Sequence, residues 1–117
     1  YFFIFTKEGN QLVGGITLSN VRRGVTQSGS LGYWIGAPFQ NHGFMTEAVK
    51  ALAHYALKEL KLHRVDAASL PENLASIRVL EKCGFYREGL AREYLCINGQ
   101  WQDHILFGLL IKDYKEL

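Results

Sequence analysis

The alternation of hydrophobic and polar positions divides the first third of the chain into strand-like segments. Tyr1–Thr6 is aromatic and β-branched, and Lys7–Asn10 carries turn-forming residues. Leu12–Leu18 has strand-like Val, Ile and Thr around two glycines, so these segments predict a β-hairpin. Val21–Gly29 is polar and predicts a loop, after which Leu31–Gly36 resumes strand character.

A helical pattern begins at Phe44. Apolar residues recur at a spacing of three and four and predict one buried helix face, made of Met45, Ala48, Val49, Leu52, Ala53, Ala56, Leu57 and Leu60. Arg64–Ser69 then has the length of a buried strand. A break at Leu70–Asn73 precedes a second helix, which we expect to run to about Lys82 and to end at Gly84.

The last third of the chain predicts a second hairpin. Arg92–Ile97 and Trp101–Ile111 are strand-like, and Asn98-Gly99 between them is a strong hairpin-turn signal. No repeat or linker divides the sequence, so we expect one domain over residues 1–117. The fold class is α/β (α+β), with parallel central strands linked by a helix and antiparallel hairpins at both ends.

Composition excludes several classes of function. The chain has 117 residues, 48% of them hydrophobic, and a formal net charge of +2. The longest apolar runs, Tyr1–Phe5 and Ile105–Ile111, have strand length, so we expect a soluble cytoplasmic protein without a membrane partner. Thirteen Lys and Arg against eleven Asp and Glu leave no block of like charge, so no direct nucleic-acid partner is expected.

The cysteines and histidines do not predict a metal site. Cys83 and Cys96 lack CxxC spacing, and the four histidines form no cluster with them. Both cysteines lie among apolar residues, which predicts buried free thiols in a reducing compartment.

The junction Gly36–Ala48, where a strand ends and the long helix begins, is the first candidate for chemistry. The first N–H groups of a helix lack intrahelical acceptors and the helix dipole is positive there, so a pyrophosphate can bind without a basic side chain. Gly43 would let the main chain approach such a ligand. Taken alone, the junction is better explained as an ordinary turn with Asn41 as the N-cap.

The second candidate lies at the start of the second helix. Asn73 and Ser76 are three residues apart and so share a helix face, where an amide and a hydroxyl can point at a common ligand. Helix capping by Asn73, with Gly84-Phe85 as a C-terminal stop, is again the simpler explanation of these residues alone.

Taken together and in this order, the two features resemble the acyl-coenzyme A site of GNAT-type N-acetyltransferases. Gln40-x-x-Gly43-x-Met45 is similar to that family's pyrophosphate motif, and Asn73 with Gly84-Phe85 resembles its second motif. The RimJ/RimL type, the ribosomal-protein-alanine N-acetyltransferases, is the most similar subgroup. The segments that carry that likeness are Met45–Ala48, Asn73–Ser76, Lys82–Phe85, Glu88-Gly89 and Asn98–His104.

The resemblance implies acetyl-CoA as co-substrate and no metal. Backbone groups of β-strand residues would pair with the pantetheine arm, and N–H groups of the loop would hold the pyrophosphate. Asn73 would bind the pantetheine amide, Ser76 would lie near the sulfur, and Lys82 would meet a nucleotide phosphate. The implied coenzyme-binding residues are Tyr33, Trp34, Ile35, Gln40, Asn41, His42, Gly43, Phe44, Met45, Thr46, Asn73, Ser76 and Lys82.

The implied chemistry is direct attack of a primary amine on the acetyl thioester in a ternary complex. Many GNAT enzymes have a tyrosine acid where this chain has Leu80, so the Ser76 hydroxyl is the group expected to stabilise the leaving thiolate. Glu93 is the candidate general base, although a solvated strand residue explains it equally well, and Asn73 completes the implied catalytic set.

The acceptor that the resemblance implies is the N-terminal alanine of a ribosomal protein. The alternatives are a small amine, such as a polyamine or an aminoglycoside, and a non-catalytic acyl-CoA-binding module. GNAT-type chains usually open with a strand and two helices, and we expect this sequence to begin at the second strand, either as a fragment, after a disordered or cleaved N-terminus, or with a partner chain that covers the gap. The edge of Tyr1–Thr6 would then be exposed and would favour a homodimer.

Overall fold

The structure is a computed structural model, and it describes residues 2–5, 12–35 and 43–113. The described residues form six strands and two α-helices. In chain order these are β1 (Phe2–Phe5), β2 (Leu12–Arg22), β3 (Ser28–Ile35), α1 (Phe44–His54), β4 (Arg64–Ser69), α2 (Leu74–Lys82), β5 (Tyr86–Ile97) and β6 (Gln100–Leu110). A π-helical turn, Tyr55–Glu59, continues α1, and a short 3-10 turn, Ile111–Asp113, follows β6.

The strands form one mixed sheet in the order β1-β2-β3-β4-β6-β5. β3 and β4 are parallel, as a strand pair joined through a helix requires, and the other neighbours are antiparallel. The predicted α/β class, the parallel central pair and the two terminal hairpins are therefore confirmed. Asn98 and Gly99 have φ values of 51° and 78°, which are those of the tight turn that joins β5 to β6.

The core lies between the two helices and the sheet face that carries Val65, Phe107 and Leu109. The helix face predicted from Phe44 onward is confirmed, because six of its eight apolar residues are buried while Ala48 and Leu60 pack against the core at its margin. The π-helical turn keeps Ala56 and Leu57 on this face. α1 is thereby fixed against the sheet, and it follows β3 in the chain.

Two predicted boundaries are wrong, and strand pairing explains both. Part of Val21–Gly29, predicted as a loop, is strand: β2 runs to Arg22 and β3 begins at Ser28, where Ser28 pairs with both Arg22 and Arg64. The strand predicted to begin at Arg92 begins at Tyr86, which lies opposite Gly108. In both places ladder hydrogen bonds to a neighbouring strand outweigh local propensity.

The prediction for the cysteines is correct in part. Both are free, but Cys83 is half-buried and Cys96 is exposed. Cys96 lies in β5, an outer strand whose residues are almost all exposed. In the described ranges, no helix is long and apolar enough to cross a membrane, and no group of three or more His, Cys, Asp and Glu residues could hold a metal ion.

Candidate active site

The parallel strands β3 and β4 separate soon after they begin. Their pairing covers Ser28–Ser30 opposite Arg64–Asp66, and no pairing between them follows among the described residues. Among the described strands, β3 continues to Ile35 paired only with β2, and β4 continues to Ser69 paired with β6. The facing backbone edges of the two strands thus open into a gap at their carboxyl ends. An extended ligand with amide groups can pair with such an edge as an added strand does.

The first turn of α1 follows this gap in the chain, and its N-cap residue, Gly43, has no side chain with which to cap the helix. Gly43 is the N-cap, with φ 79° and ψ −4°, and Glu47 donates the first helical hydrogen bond to the Gly43 carbonyl at 3.1 Å. The N–H groups of Met45 and Thr46 find no acceptor within the described part of the chain. An uncapped helix start is an electrostatically favourable place for an anion.

The requirement for glycine at position 43 comes from the backbone dihedral. A Cβ placed on Gly43 would meet nothing within 4 Å, so the positive φ alone disfavours other residues. The alternative interpretation of this junction, with Asn41 as the N-cap, is wrong because the cap is two residues later. Gln40, Asn41 and His42 lie outside the described residues, and Met45 is buried in the core, so only its backbone can face a ligand.

Asn73 caps α2, as the simpler interpretation of the sequence predicted. Its Oδ1 accepts a hydrogen bond from the Ser76 N–H at 3.1 Å. The side chain is exposed, and its Nδ2 group donates to no described residue. One side chain can therefore cap the helix through its oxygen while it offers its amide hydrogens to a ligand.

Ser76 pairs with Tyr33 across the space between α2 and β3. The Tyr33 and Ser76 hydroxyl oxygens are 2.7 Å apart, and the Tyr33 hydroxyl is 3.1 Å from the Ser76 carbonyl oxygen. Burial raises the pKa of Tyr33 to about 12, so this phenol is protonated at neutral pH. The sequence implied a backbone role for Tyr33 and left its side chain either in the acceptor cleft or in the core, and it did not predict this pair. Strand alternation indicated that Tyr33 and Trp34 face opposite sides, but not which one faces α2.

The other end of α2 lies beside the first turn of α1. The Cys83 thiol donates a hydrogen bond to the Thr46 carbonyl, with sulfur and oxygen 3.5 Å apart. Burial raises the pKa of Cys83 to about 11, so this thiol is neutral and a poor nucleophile. Lys82, the exposed last residue of α2, therefore lies at the same corner as the start of α1. α2 spans about 13 Å between this corner and Asn73, at 1.5 Å per residue.

Glu93 lies in a bulge of β5. Between the pairs Ala91–His104 and Leu95–Gln102, three residues of β5 face one residue of β6. Glu93 has φ 45°, and its N–H donates to Asp103 Oδ1 at 2.8 Å. Its side chain is exposed, and no contact among the described residues links it to Ser76. Its assignment as general base stays a prediction.

The Glu88-Gly89 segment has a structural role in the sheet. The Arg64 guanidinium forms ion pairs with Glu88 and Asp66, and its hydrogen bond holds the pKa of the Glu88 carboxyl below its usual value. Gly108 permits this arrangement, because a Cβ there would come within 2.6 Å of Arg64 Nη2. Arg64 and Glu88 thus join β4 to β5 across β6.

Comparison with known proteins decides the family. The family model described as an acetyltransferase (GNAT) domain matches residues 1–86, which include β1 to α2. This chain belongs to the GNAT acetyltransferase domain family. The resemblance predicted from the Gly43 and Asn73 motifs is therefore confirmed.

Two curated relatives of this GNAT chain are themselves acetyltransferases by name. It is 44% identical to the probable N-acetyltransferase YjcK of Bacillus subtilis over 116 residues, which cover 99% of this chain and 64% of the relative. It is 39% identical to the [ribosomal protein uS5]-alanine N-acetyltransferase of Escherichia coli over 114 residues, which cover 97% of this chain and 59% of the relative. The chain thus spans about three fifths of the length of these proteins.

Two solved structures share the fold of this GNAT domain. The ribosomal-protein-S5-alanine acetyltransferase of Vibrio fischeri superposes with a TM-score of 0.88 at 37% identity, over 96% of this chain and 61% of that one. The Mycobacterium smegmatis RimJ in complex with CoA-disulfide superposes with a TM-score of 0.86 at 33% identity, over 92% and 51%. These identities confirm that the mixed sheet with its two helices is the GNAT architecture and that RimJ-type proteins are among its neighbours.

Proposed function

We propose that this protein is an acetyl-CoA-dependent N-acetyltransferase whose acceptor is a primary amine, most specifically the N-terminal alanine of a ribosomal protein. The observation that carries the proposal is the gap between β3 and β4, which is followed in the chain by a helix start whose N-cap, Gly43, has no capping side chain. It combines a free strand edge for an amide-bearing arm with a helix start for a diphosphate. Membership in the GNAT family supports the same ligand.

The pantetheine arm, the pyrophosphate and a nucleotide phosphate of the coenzyme each have a partner in the site. The backbone of Tyr33, Trp34 and Ile35 pairs with the pantetheine arm, and the amides of Met45 and Thr46, with those of Gln40–Phe44, bind the pyrophosphate. The Asn73 amide donates to a pantetheine carbonyl while its oxygen caps α2. Lys82 meets a nucleotide phosphate, which its place beside the start of α1 supports.

The reaction needs three groups around the thioester. The amine nitrogen attacks the carbonyl carbon, the Ile35 N–H stabilises the resulting oxyanion, and the carbon–sulfur bond breaks to release the thiolate. The nitrogen gives up a proton to Glu93 directly or through water, and the thiolate accepts a hydrogen bond from Ser76. One proton leaves nitrogen and one reaches sulfur, so the products are the amide and free coenzyme A.

An α-amino acceptor fits a site with a modest base. Its pKa is about 7.7 to 8.0 against about 10.4 for lysine, so a useful fraction is already neutral near pH 7. The names of the Escherichia coli relative and the Vibrio fischeri structure, both alanine acetyltransferases acting on one ribosomal protein, support this choice of acceptor.

Calorimetry and an acceptor screen test the proposal in order. We expect saturable binding of acetyl-CoA and no comparable binding of free adenosine, because adenosine lacks the pyrophosphate and pantetheine. Acetyl transfer should then be faster to a peptide with a free N-terminal alanine than to spermidine or an aminoglycoside. The matched control is the same peptide with its N-terminus already acetylated.

The outcomes separate the alternatives. Faster transfer to spermidine would replace the alanine acceptor with a small amine. Binding without transfer to any acceptor would favour an acyl-CoA-binding module, and a folded protein that binds no acetyl-CoA would refute the proposal.

A further inference from the structure

The side chain of Tyr33 reaches from β3 to the hydroxyl of Ser76 on α2. Its oxygen lies 2.7 Å from Ser76 Oγ and 3.1 Å from the Ser76 carbonyl oxygen. Both oxygens belong to the residue placed beside the sulfur in the proposed function. The pair lies in a partly buried setting, where a hydrogen bond is stronger than in water.

Counting hydrogens shows that the pair has two arrangements. In the first, Tyr33 donates to the Ser76 carbonyl and Ser76 donates back to Tyr33, so the Ser76 hydrogen is not available to a ligand. In the second, Tyr33 donates to Ser76 Oγ, and the Ser76 hydrogen is free to point elsewhere. The two arrangements differ by rotation of two hydroxyl groups and require no movement of heavy atoms.

The second arrangement leaves no buried group unsatisfied. Ser76 lies within α2, where a carbonyl accepts from the amide four residues later, here that of Leu80. Loss of the Tyr33 hydrogen from the Ser76 carbonyl therefore costs little. The shorter of the two Tyr33 distances is also the one to Ser76 Oγ.

We infer that Tyr33 is a positioning residue for acetyl transfer: its hydroxyl donates to Ser76 Oγ and so directs the Ser76 hydrogen at the sulfur of the coenzyme. This inference rests on the proposed function. When the carbon–sulfur bond breaks, electron density collects on sulfur, and the chain from Tyr33 through Ser76 to sulfur strengthens because each donor polarises the next. Such a gain belongs to the transition state more than to the bound substrate.

Tyr33 acts here as a hydrogen-bond donor that keeps its proton. Burial raises the pKa of Tyr33 to about 12, well above the value of about 8.5 for a thiol, so the thiolate does not deprotonate the phenol. Cys83, which also lies near Tyr33, is a neutral thiol and does not compete for the hydrogen as an anion. The proton that finally reaches sulfur comes from the attacking amine by way of the base or solvent.

The direct test is the pKa of the coenzyme A thiol when bound to the protein, followed by the ultraviolet absorbance of the thiolate. We expect Tyr33→Phe to raise that pKa by about half a unit or more, and Ser76→Ala to raise it further. Tyr55→Phe is the matched control, because Tyr55 is a half-exposed tyrosine on the turn after α1 and should leave the value unchanged. A bound-thiol pKa that is identical in wild type and Tyr33→Phe overturns the inference.

Kinetics give a second test that a purely structural role would fail. Tyr33→Phe should lower kcat about fivefold with little change in the KM for acetyl-CoA. In a Ser76→Ala background, Tyr33→Phe should lower kcat by less than about twofold, because Tyr33 acts through Ser76. If the double variant instead lost kcat by the product of the two single losses, the inference would be overturned.

The test separates this inference from the proposed function. Absence of coenzyme binding by the wild-type protein refutes both, whereas binding with an unaltered bound-thiol pKa in Tyr33→Phe refutes the role of Tyr33 alone. If Tyr33→Phe does not fold, a fluorinated tyrosine at position 33 keeps the hydroxyl and makes it a stronger donor. The bound-thiol pKa should then fall, and an unchanged value overturns the inference.

Discussion

Replacing Gly43 by glutamate tests whether the start of α1 binds the pyrophosphate. Gly43 is exposed, has φ 79° and has open space where a Cβ would stand. Any side chain there costs about 1–2 kcal/mol for the left-handed backbone, and this cost is common to Gly43→Gln and Gly43→Glu. The difference between these two variants is therefore the effect of one negative charge.

The magnitude of that difference follows from Coulomb's law. A carboxylate roughly 6 Å from one phosphate charge raises the free energy by about 0.7 to 3 kcal/mol, for effective dielectric constants between 80 and 20. Gly43→Glu should therefore bind acetyl-CoA roughly 3- to 100-fold more weakly than Gly43→Gln. Salt should shrink the difference, because the site is exposed.

The added charge in Gly43→Glu should affect the stability of the protein and its affinity for acetyl-CoA in opposite directions. A carboxylate at a helix start stabilises the helix by about 0.3–1 kcal/mol, so Gly43→Glu should be at least as stable as Gly43→Gln. Calorimetric titration gives the affinity, and urea denaturation gives the free energy of unfolding.

Gly24 provides the matched control. It lies in the turn between β2 and β3 with φ 76° and equally open space, and its neighbour Arg23 bonds to Leu60, at the opposite end of the helical segment from Gly43. Gly24→Glu and Gly24→Gln should bind acetyl-CoA equally well. Equal affinities for the two Gly43 variants at low salt would refute the reasoning.

Three further predictions concern single side chains. Asn73→Ala should lower the free energy of unfolding by about 1 kcal/mol through loss of the cap, whereas Asn73→Asp should keep that stability in urea denaturation and still weaken acetyl-CoA binding, because it lacks the amide donor. Arg64 lowers the pKa of Glu88, so the ion pair stabilises the fold at pH values above the unfolded pKa of about 4.3. This contribution is at most about 1 kcal/mol, because the pair is exposed, and it disappears as the pH falls through the folded pKa of Glu88. Glu88→Gln should remove that part of the acid-side loss of stability, and identical pH profiles would contradict it. A thiol reagent should label Cys96 rapidly and Cys83 slowly, so Cys96→Ser should abolish the fast phase; a fast phase that persists would contradict the structure.

The local elements could be predicted from the sequence because their signals act over a few residues. The apolar spacing after Phe44, the stop at Gly84 and the turn at Asn98-Gly99 each reflect backbone or packing preferences within one element. The motifs around Gly43 and Asn73 also carried the family resemblance, which the match over residues 1–86 confirms.

Only the tertiary structure determines the strand bounds, exposures and contacts that depend on residues distant in the chain. Ser28 and Tyr86 are strand residues because partner strands offer them hydrogen bonds, and Cys96 is exposed because no described element covers the outer strand β5. The contact between Tyr33 and Ser76 joins residues 43 positions apart. Sequence alternation shows that a strand has two faces, but only the packing of α2 against the sheet determines which face carries the hydroxyl that meets Ser76.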